Sequence, residues 1–128
     1  MKFHNGEDFD AQDVVTSWEA GKDPANAYAY EIEEAATVEV IDDFTVKMPT
    51  EEPNPLFLRR FVSQSWAMIP TDYYNEVGLA GIEENPVGTG PFKFVEWIKG
   101  DRITLEAFED YWDEGLPKLA KVTFRPIP

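Results

Sequence analysis

Cysteine is absent from the 128-residue chain, which excludes disulfides, thiolate nucleophiles and cysteine-based zinc sites. Histidine occurs once, as His4. One imidazole cannot assemble a transition-metal cluster, and any Ser-His-Asp triad would have to be built around a single turn near the terminus. No Asp-x-Asp-x-Asp-Gly loop is present, so neither a metal nor a cofactor is expected. No apolar run approaches the length of a bilayer span, and the opening Met1-Lys2-Phe3-His4-Asn5-Gly6 lacks the apolar core of a signal peptide. Positive charge is scarce: eleven Lys and Arg stand against twenty-five Asp and Glu, a formal net charge of −14. Such a chain repels nucleic-acid phosphates and anionic lipid headgroups, so no nucleic-acid partner is expected. The acidity fits a solvated surface, solubility in high salt, or weak attraction for cations.

Apolar material is plentiful, at 43% hydrophobic and 14% aromatic residues, with four Trp and nine Phe to anchor the core of one globular domain. The chain is organised around Pro86-Val87-Gly88-Thr89-Gly90-Pro91-Phe92-Lys93-Phe94-Val95-Glu96-Trp97, a glycine- and proline-rich loop running into an alternating aromatic strand. The loop lacks the glycine spacing, the Lys-Ser/Thr ending and the following helix of a phosphate cradle. Gly88, Thr89, Gly90 and Pro91 are therefore expected to form a structural bend. Both faces of the strand from Phe92 to Ile98 carry apolar residues, which predicts burial on two sides.

The other elements follow from capping and periodicity. Asn5-Gly6 predicts a tight turn, and Asp10 with Asp13 a capping box opening a helix from Ala11 to Ala20 that Gly21 closes in a left-handed conformation. Phe9 and Val14 take the staple positions. A short helix is expected after Pro24, then a hairpin pairing Val38 to Ile41 with Phe44 to Met48. Leu56, Phe57, Arg60 and Phe61 predict a short amphipathic helix, Ser63 to Pro70 an extended segment, and Thr71 a cap for a helix that Gly78 ends, with a loop from Leu79 to Asn85. The strand from Phe92 is expected to pair through a turn at Lys99-Gly100-Asp101 with Arg102 to Phe108, and a last strand lies within Leu119 to Ile127 with Val122 and Phe124 inward. A sub-boundary is expected near residues 79–90.

Twenty-five acids make any carboxylate spacing available, which is why pairs such as Glu109-Asp110 and Asp113-Glu114 are read as solvated rather than catalytic. Tyr28, Tyr30, Trp66, Tyr73, Tyr74, Tyr111 and Trp112 fall off the regular pattern. Each offers rigid contact area and one polar tip suited to a ligand pocket, or to packing beneath a loop.

Three stretches together resemble the extracellular solute-binding proteins of ABC importers that carry oligopeptides, dipeptides or nickel. They are Lys2-Phe3-His4-Asn5-Gly6-Glu7-Asp8-Phe9-Asp10-Ala11-Gln12-Asp13-Val14, the loop Pro86-Val87-Gly88-Thr89-Gly90-Pro91-Phe92, and Gly100-Asp101-Arg102-Ile103-Thr104-Leu105-Glu106 with the later Tyr111-Trp112, Pro117-Lys118-Leu119 and Val122-Thr123-Phe124-Arg125. The resemblance spans essentially the whole chain. It implies an α+β fold, with a mixed, mostly antiparallel sheet and short helices, forming part of the first lobe of a type II-like periplasmic binding protein several times longer. It implies a non-catalytic role in capturing a small solute, such as a peptide, at the periplasm or cell surface for an ABC permease. Tyr28, Tyr30 and Trp66 are then placed near the cleft by their order in the chain. Strands separated from their partners would leave edges open to self-association. The alternative is a stand-alone acidic interaction module with no transport role.

Overall fold

The computed structural model describes residues 1–24, 29–32 and 35–127. An N-terminal turn closes through Phe3 N–H to the Glu7 carbonyl at 2.9 Å, with Gly6 at φ +94°, and it leads into α1, Ala11–Gly21. The expected capping box is present: the Asp10 side chain accepts from Gln12 N at 2.8 Å, while Asp13 Oδ2 accepts from Asp10 N at 2.9 Å. α2, Ala29–Ile32, precedes the hairpin of β1, Glu39–Asp42, and β2, Thr45–Lys47. Then come α3, Phe57–Arg60, a 3-10 turn at Gln64–Trp66, and α4, Thr71–Glu84. The chain ends in an antiparallel sheet ordered β3-β4-β5: Phe92–Ile98, Arg102–Ala107 and Lys121–Phe124. The expected α+β fold with short helices and antiparallel sheets is what the chain adopts.

One core gathers Val14, Trp18, Ile32, Ala35, Val38 and Trp66, with Phe9, Val46, Phe57 and Phe61 packed on it. α1 presents its apolar stripe here because Val14 and Trp18 are four residues apart. Gly21 plays a different part from the one expected. It is the last residue of α1, and its φ is not positive. A Cβ there would lie 3.0 Å from Ile32 Cδ1 and 3.3 Å from the Ser65 carbonyl oxygen, so the close approach of α2 and the 3-10 turn leaves only a tight fit for any side chain. Gly78 does behave as expected, at φ +65°, but the chain resumes helical geometry after it, so α4 is kinked and runs on through the predicted loop to Glu84.

The start of α4 has no capping side chain of its own, since its N-cap position is Pro70. Asp13 of α1 supplies the acceptor: its Oδ1 takes hydrogen bonds from Thr71 N at 2.8 Å and from Thr71 Oγ1 at 2.7 Å. Because the Thr71 hydroxyl proton is committed to Asp13, Thr16 Oγ1 must donate to Thr71 Oγ1 across their 2.9 Å contact. Ser17 completes the seam, donating to the Asp13 carbonyl at 2.6 Å and accepting from Ile69 N at 2.9 Å.

The terminal sheet departs from the prediction of two buried faces. A bulge falls between Phe94 and Glu96, so that Phe94 pairs with Leu105 while Trp97 pairs with Ile103. The extra residue, Val95, shifts the alternation by one and brings Trp97 onto the side already holding Phe92 and Phe94. Val122 and Phe124 share that face through their pairing with Leu105 and Ile103. The opposite face is polar, with Arg102 Nε donating to Glu96 Oε1 at 3.0 Å and Lys93 paired to Glu106 at 3.0 Å. Val95, Trp97, Ile98 and Phe124 are exposed rather than buried. Among the described residues the helices reach the sheet only across an open cavity, so these side chains stay accessible to solvent.

Replacing Asp13 by Ala strands the Asp10 and Thr71 amides and the Thr71 hydroxyl, and is expected to cost about 3 kcal/mol in urea unfolding by the usual penalty for buried unsatisfied donors. Asp8→Ala removes only an exposed pair with Lys2 and should change stability by less than about 0.5 kcal/mol.

Candidate functional site

Two places bring chemistry-bearing residues together. The first is built on α2 and the 3-10 turn. Ser63 caps the turn: its hydroxyl accepts from Ser65 N at 3.4 Å, and its carbonyl from Trp66 N at 3.1 Å. That geometry aims both serine hydroxyls at Glu31, whose Oε2 accepts from Ser65 Oγ at 2.8 Å and from Ser63 Oγ. Glu31 Oε1 faces the Tyr30 hydroxyl at 3.4 Å. The serine hydrogen bonds hold the Glu31 carboxyl below the ordinary glutamate range, with smaller contributions from Tyr30 and the Arg60 charge. The result is an ionised, preorganised acceptor beside an exposed tyrosine ring.

Of the three residues expected to contact ligand, Tyr30 displays its ring to solvent on α2. Trp66 lies one residue beyond Ser65, 3% exposed and tilted at 42° against Phe61 at a centroid distance of 4.5 Å, so its indole belongs to the core. Tyr28 lies outside the described residues. The indole N–H groups of Trp66 and Trp18 find no acceptor among the described residues, and Trp18 carries Lys22 Nζ 3.9 Å above its ring. Glu31, Ser63 and Ser65 were not singled out from the sequence, because nothing local marks a serine pair as facing a carboxylate 32 and 34 residues away.

The second place is an apolar cavity of about 510 Å³ between the helices and the terminal sheet. Met68, Ile69 and Ile82 form one wall and Phe92, Phe94 and Trp97 the other, with His4 and Gly88 at the N-terminal turn. The loop expected to bend at Gly88, Thr89, Gly90 and Pro91 is half-buried here. Neither glycine has positive φ, and a Cβ on Gly88 would meet nothing closer than His4 Cε1 at 3.9 Å. The loop's course is set by hydrogen bonds to His4, whose Nε2 lies 2.9 Å from the Gly90 carbonyl. Among the described residues no three His, Asp or Glu side chains are grouped to hold a metal ion, and no helix is long and apolar enough to cross a membrane.

Comparison with known proteins adds a family. A sequence model of bacterial extracellular solute-binding proteins, family 5 (middle), matches residues 1–128. The glutathione-binding protein GsiB of Shigella flexneri is 37% identical over 99% of this chain and 25% of its own length, and that of Pectobacterium atrosepticum is 35% identical over the same shares. The chain thus spans about a quarter of the length of these relatives. Among solved structures, OppA of Haemophilus influenzae in complex with the peptide RPPGFSPFR superposes with a TM-score of 0.88 at 27% identity, covering 98% of this chain and 28% of OppA. NikZ of Campylobacter jejuni in complex with Ni(L-His) superposes at 0.84 and 31% identity, covering 98% and 26%.

A carbon-detected NMR titration should find the Glu31 carboxyl still ionised below the ordinary glutamate range. Ser63→Ala with Ser65→Ala should raise its midpoint toward that range. Because the folded-state value is depressed, the stabilisation linked to Glu31 is present above the ordinary glutamate range and disappears as pH falls through the lowered value.

Proposed function

Since the chain belongs to the bacterial extracellular solute-binding proteins of family 5, we propose that it forms part of the solute-capturing component of an ABC-type importer. It works outside the cytoplasmic membrane, delivers its solute to a permease and has no catalytic part. The observation that carries this reading is the agreement of sequence and fold along the whole chain. The solutes in the relatives' names, namely glutathione, a nonapeptide and a nickel–histidine complex, share carboxylate and amine groups. A peptide or peptide-like solute is the class that Tyr30, Glu31 and the two serines suit, as a flat ring and an ionised acceptor at one edge of a cleft. Tyr28, by its order in the chain, and Trp66, through the turn it anchors, are the other residues proposed to contact the solute.

The uncovered sheet supports a role as one stretch of a larger first lobe. Residues 1–85 carry eighteen acidic against five basic side chains, whereas residues 86–128 carry seven against six. The near-neutral part is also the part with an exposed apolar face, a combination found where protein covers protein. The helices and hairpin on one side, and the sheet on the other, then form two sub-units meeting within residues 79–90.

Calorimetry on the intact importer protein containing this chain tests the reading, using reduced glutathione, a nonapeptide and nickel–histidine as probes. One of them should bind at micromolar or tighter affinity, and Tyr30→Ala and Trp66→Ala should each weaken it about tenfold, or roughly 1.4 kcal/mol. An intact protein that binds none of the three, and whose deletion leaves their uptake unchanged, overturns the transport role; full affinity in both variants overturns only the site. The 128-residue chain alone should self-associate through the open edges of β3 and β5. Strictly monomeric sedimentation at high concentration would remove that expectation.

A further inference from the structure

Among the described residues, the hydrogen bonds that join residues 1–85 to residues 88–127 all come from His4. Its backbone N–H donates to the Gly88 carbonyl at 2.9 Å. Gly88 N–H donates in return to Nδ1 at 3.3 Å, and Nε2 lies 2.9 Å from the Gly90 carbonyl oxygen. The ring also sits edge-on to Phe108, with centroids 5.0 Å apart, and Phe108 N–H donates to the Pro91 carbonyl at 2.9 Å. One side chain therefore grips both ends of the Gly88–Gly90 loop and touches the end of β4.

These partners admit a single protonation state. A backbone N–H can only donate, so Nδ1 must present its lone pair to Gly88, and the ring proton must then be on Nε2, where the Gly90 carbonyl receives it. A second proton on Nδ1 would turn an acceptor into a donor aimed at another donor, losing one hydrogen bond and replacing it with repulsion. No neighbouring carboxylate offsets this change. On the same turn Glu7 is engaged by Asn5 and Asp8 by Lys2. Across the cavity α4 contributes Glu83, Glu109 follows Phe108, and residues 86–91 contain no titratable group. Among the described residues none of these carboxylates pairs with the imidazole.

We propose that His4 is an acid-released clasp: its neutral ring locks the 86–91 loop, and the sheet launched from it, against the N-terminal turn, and the charged ring frees the sheet to move relative to the helices. What moves is the separation of the cavity walls, Met68, Ile69 and Ile82 on one side and Phe92, Phe94 and Trp97 on the other. The released state binds one more proton than the latched state, so it gains as pH falls. The device does not depend on the transport reading.

Amide hydrogen exchange followed by NMR on the 128-residue chain tests it. After correction for the intrinsic exchange rate, the protection of the Gly88 amide should fall about tenfold between pH 7.5 and 5.5. The Val14 and Trp18 amides in the core should keep theirs. In His4→Phe the Gly88 amide should be poorly protected at both pH values. His4→Asn retains an acceptor for Gly88 that does not titrate, so its protection should hold at both. A flat profile in the unmodified chain, or the same fall in His4→Asn, overturns the clasp, and so does His4→Phe protection equal to that of the unmodified chain. Should His4→Phe lose its core protection altogether, the comparison with His4→Asn decides alone.

Discussion

Donors from two separate helix starts converge on the Asp13 carboxylate: the Asp10 amide from the first turn of α1, and the amide and hydroxyl of Thr71 from the first turn of α4. An acceptor that is 96% withdrawn from solvent is tolerated only when donors reach it, and the orphan N–H groups of a helix start are such donors. The two needs meet in one residue, which closes its own helix's capping box and caps another helix 58 positions along the chain. Thr16 and Ser17 extend the seam to Ile69, so the segment leading into α4 has little freedom to settle elsewhere. The 3-10 turn that carries Ser63, Ser65 and Trp66 lies directly before this seam. The Glu31 cluster thus inherits its position from a hydrogen-bond network that does not include it.

Charge and apolar surface are divided between the two parts of the chain. The helices and hairpin bury their aromatic residues around Trp18 and Trp66 and hold most of the negative charge. The sheet pairs its charges across strands on one face, Lys93 with Glu106 and Arg102 with Glu96, and leaves the other face apolar. Cross-strand pairs of this kind contribute little stability, but they keep one face wet and so define which face is available to be covered. The cavity between the two parts is lined almost entirely by hydrocarbon, which gives no directional contact to fix their separation. Hydrogen bonds from His4 provide that direction.

Much of this was legible in the order of residues. Asp10 with Asp13 announced the capping box, Asn5-Gly6 and Lys99-Gly100-Asp101 their turns, and the alternation around Asp42-Asp43 its hairpin, because each depends on residues within four positions of one another. Other features were misread for one shared reason. Gly21 looked like a left-handed helix end, yet its φ is not positive and its lack of a side chain eases the close approach of Ile32 and the Ser65 carbonyl. Val95 looked like one more apolar residue in a strand, yet it is the bulge that puts Trp97 beside Phe94. The glycine-rich loop does bend at Thr89, Gly90 and Pro91, but without positive φ, and a distant histidine holds it.

By itself the sequence determined the α+β class, most helix and hairpin positions and the family, since these rest on local periodicity, capping chemistry and motifs read in order. Only the tertiary structure decided that Trp66 is core and Tyr30 is surface, that Glu31 faces two serines, that Asp13 serves two helices and that His4 holds both ends of its loop. Each of these depends on a partner more than thirty residues away or on a side chain's depth. No local pattern records either, because folding chooses long-range partners by packing and by the need to satisfy every buried donor and acceptor.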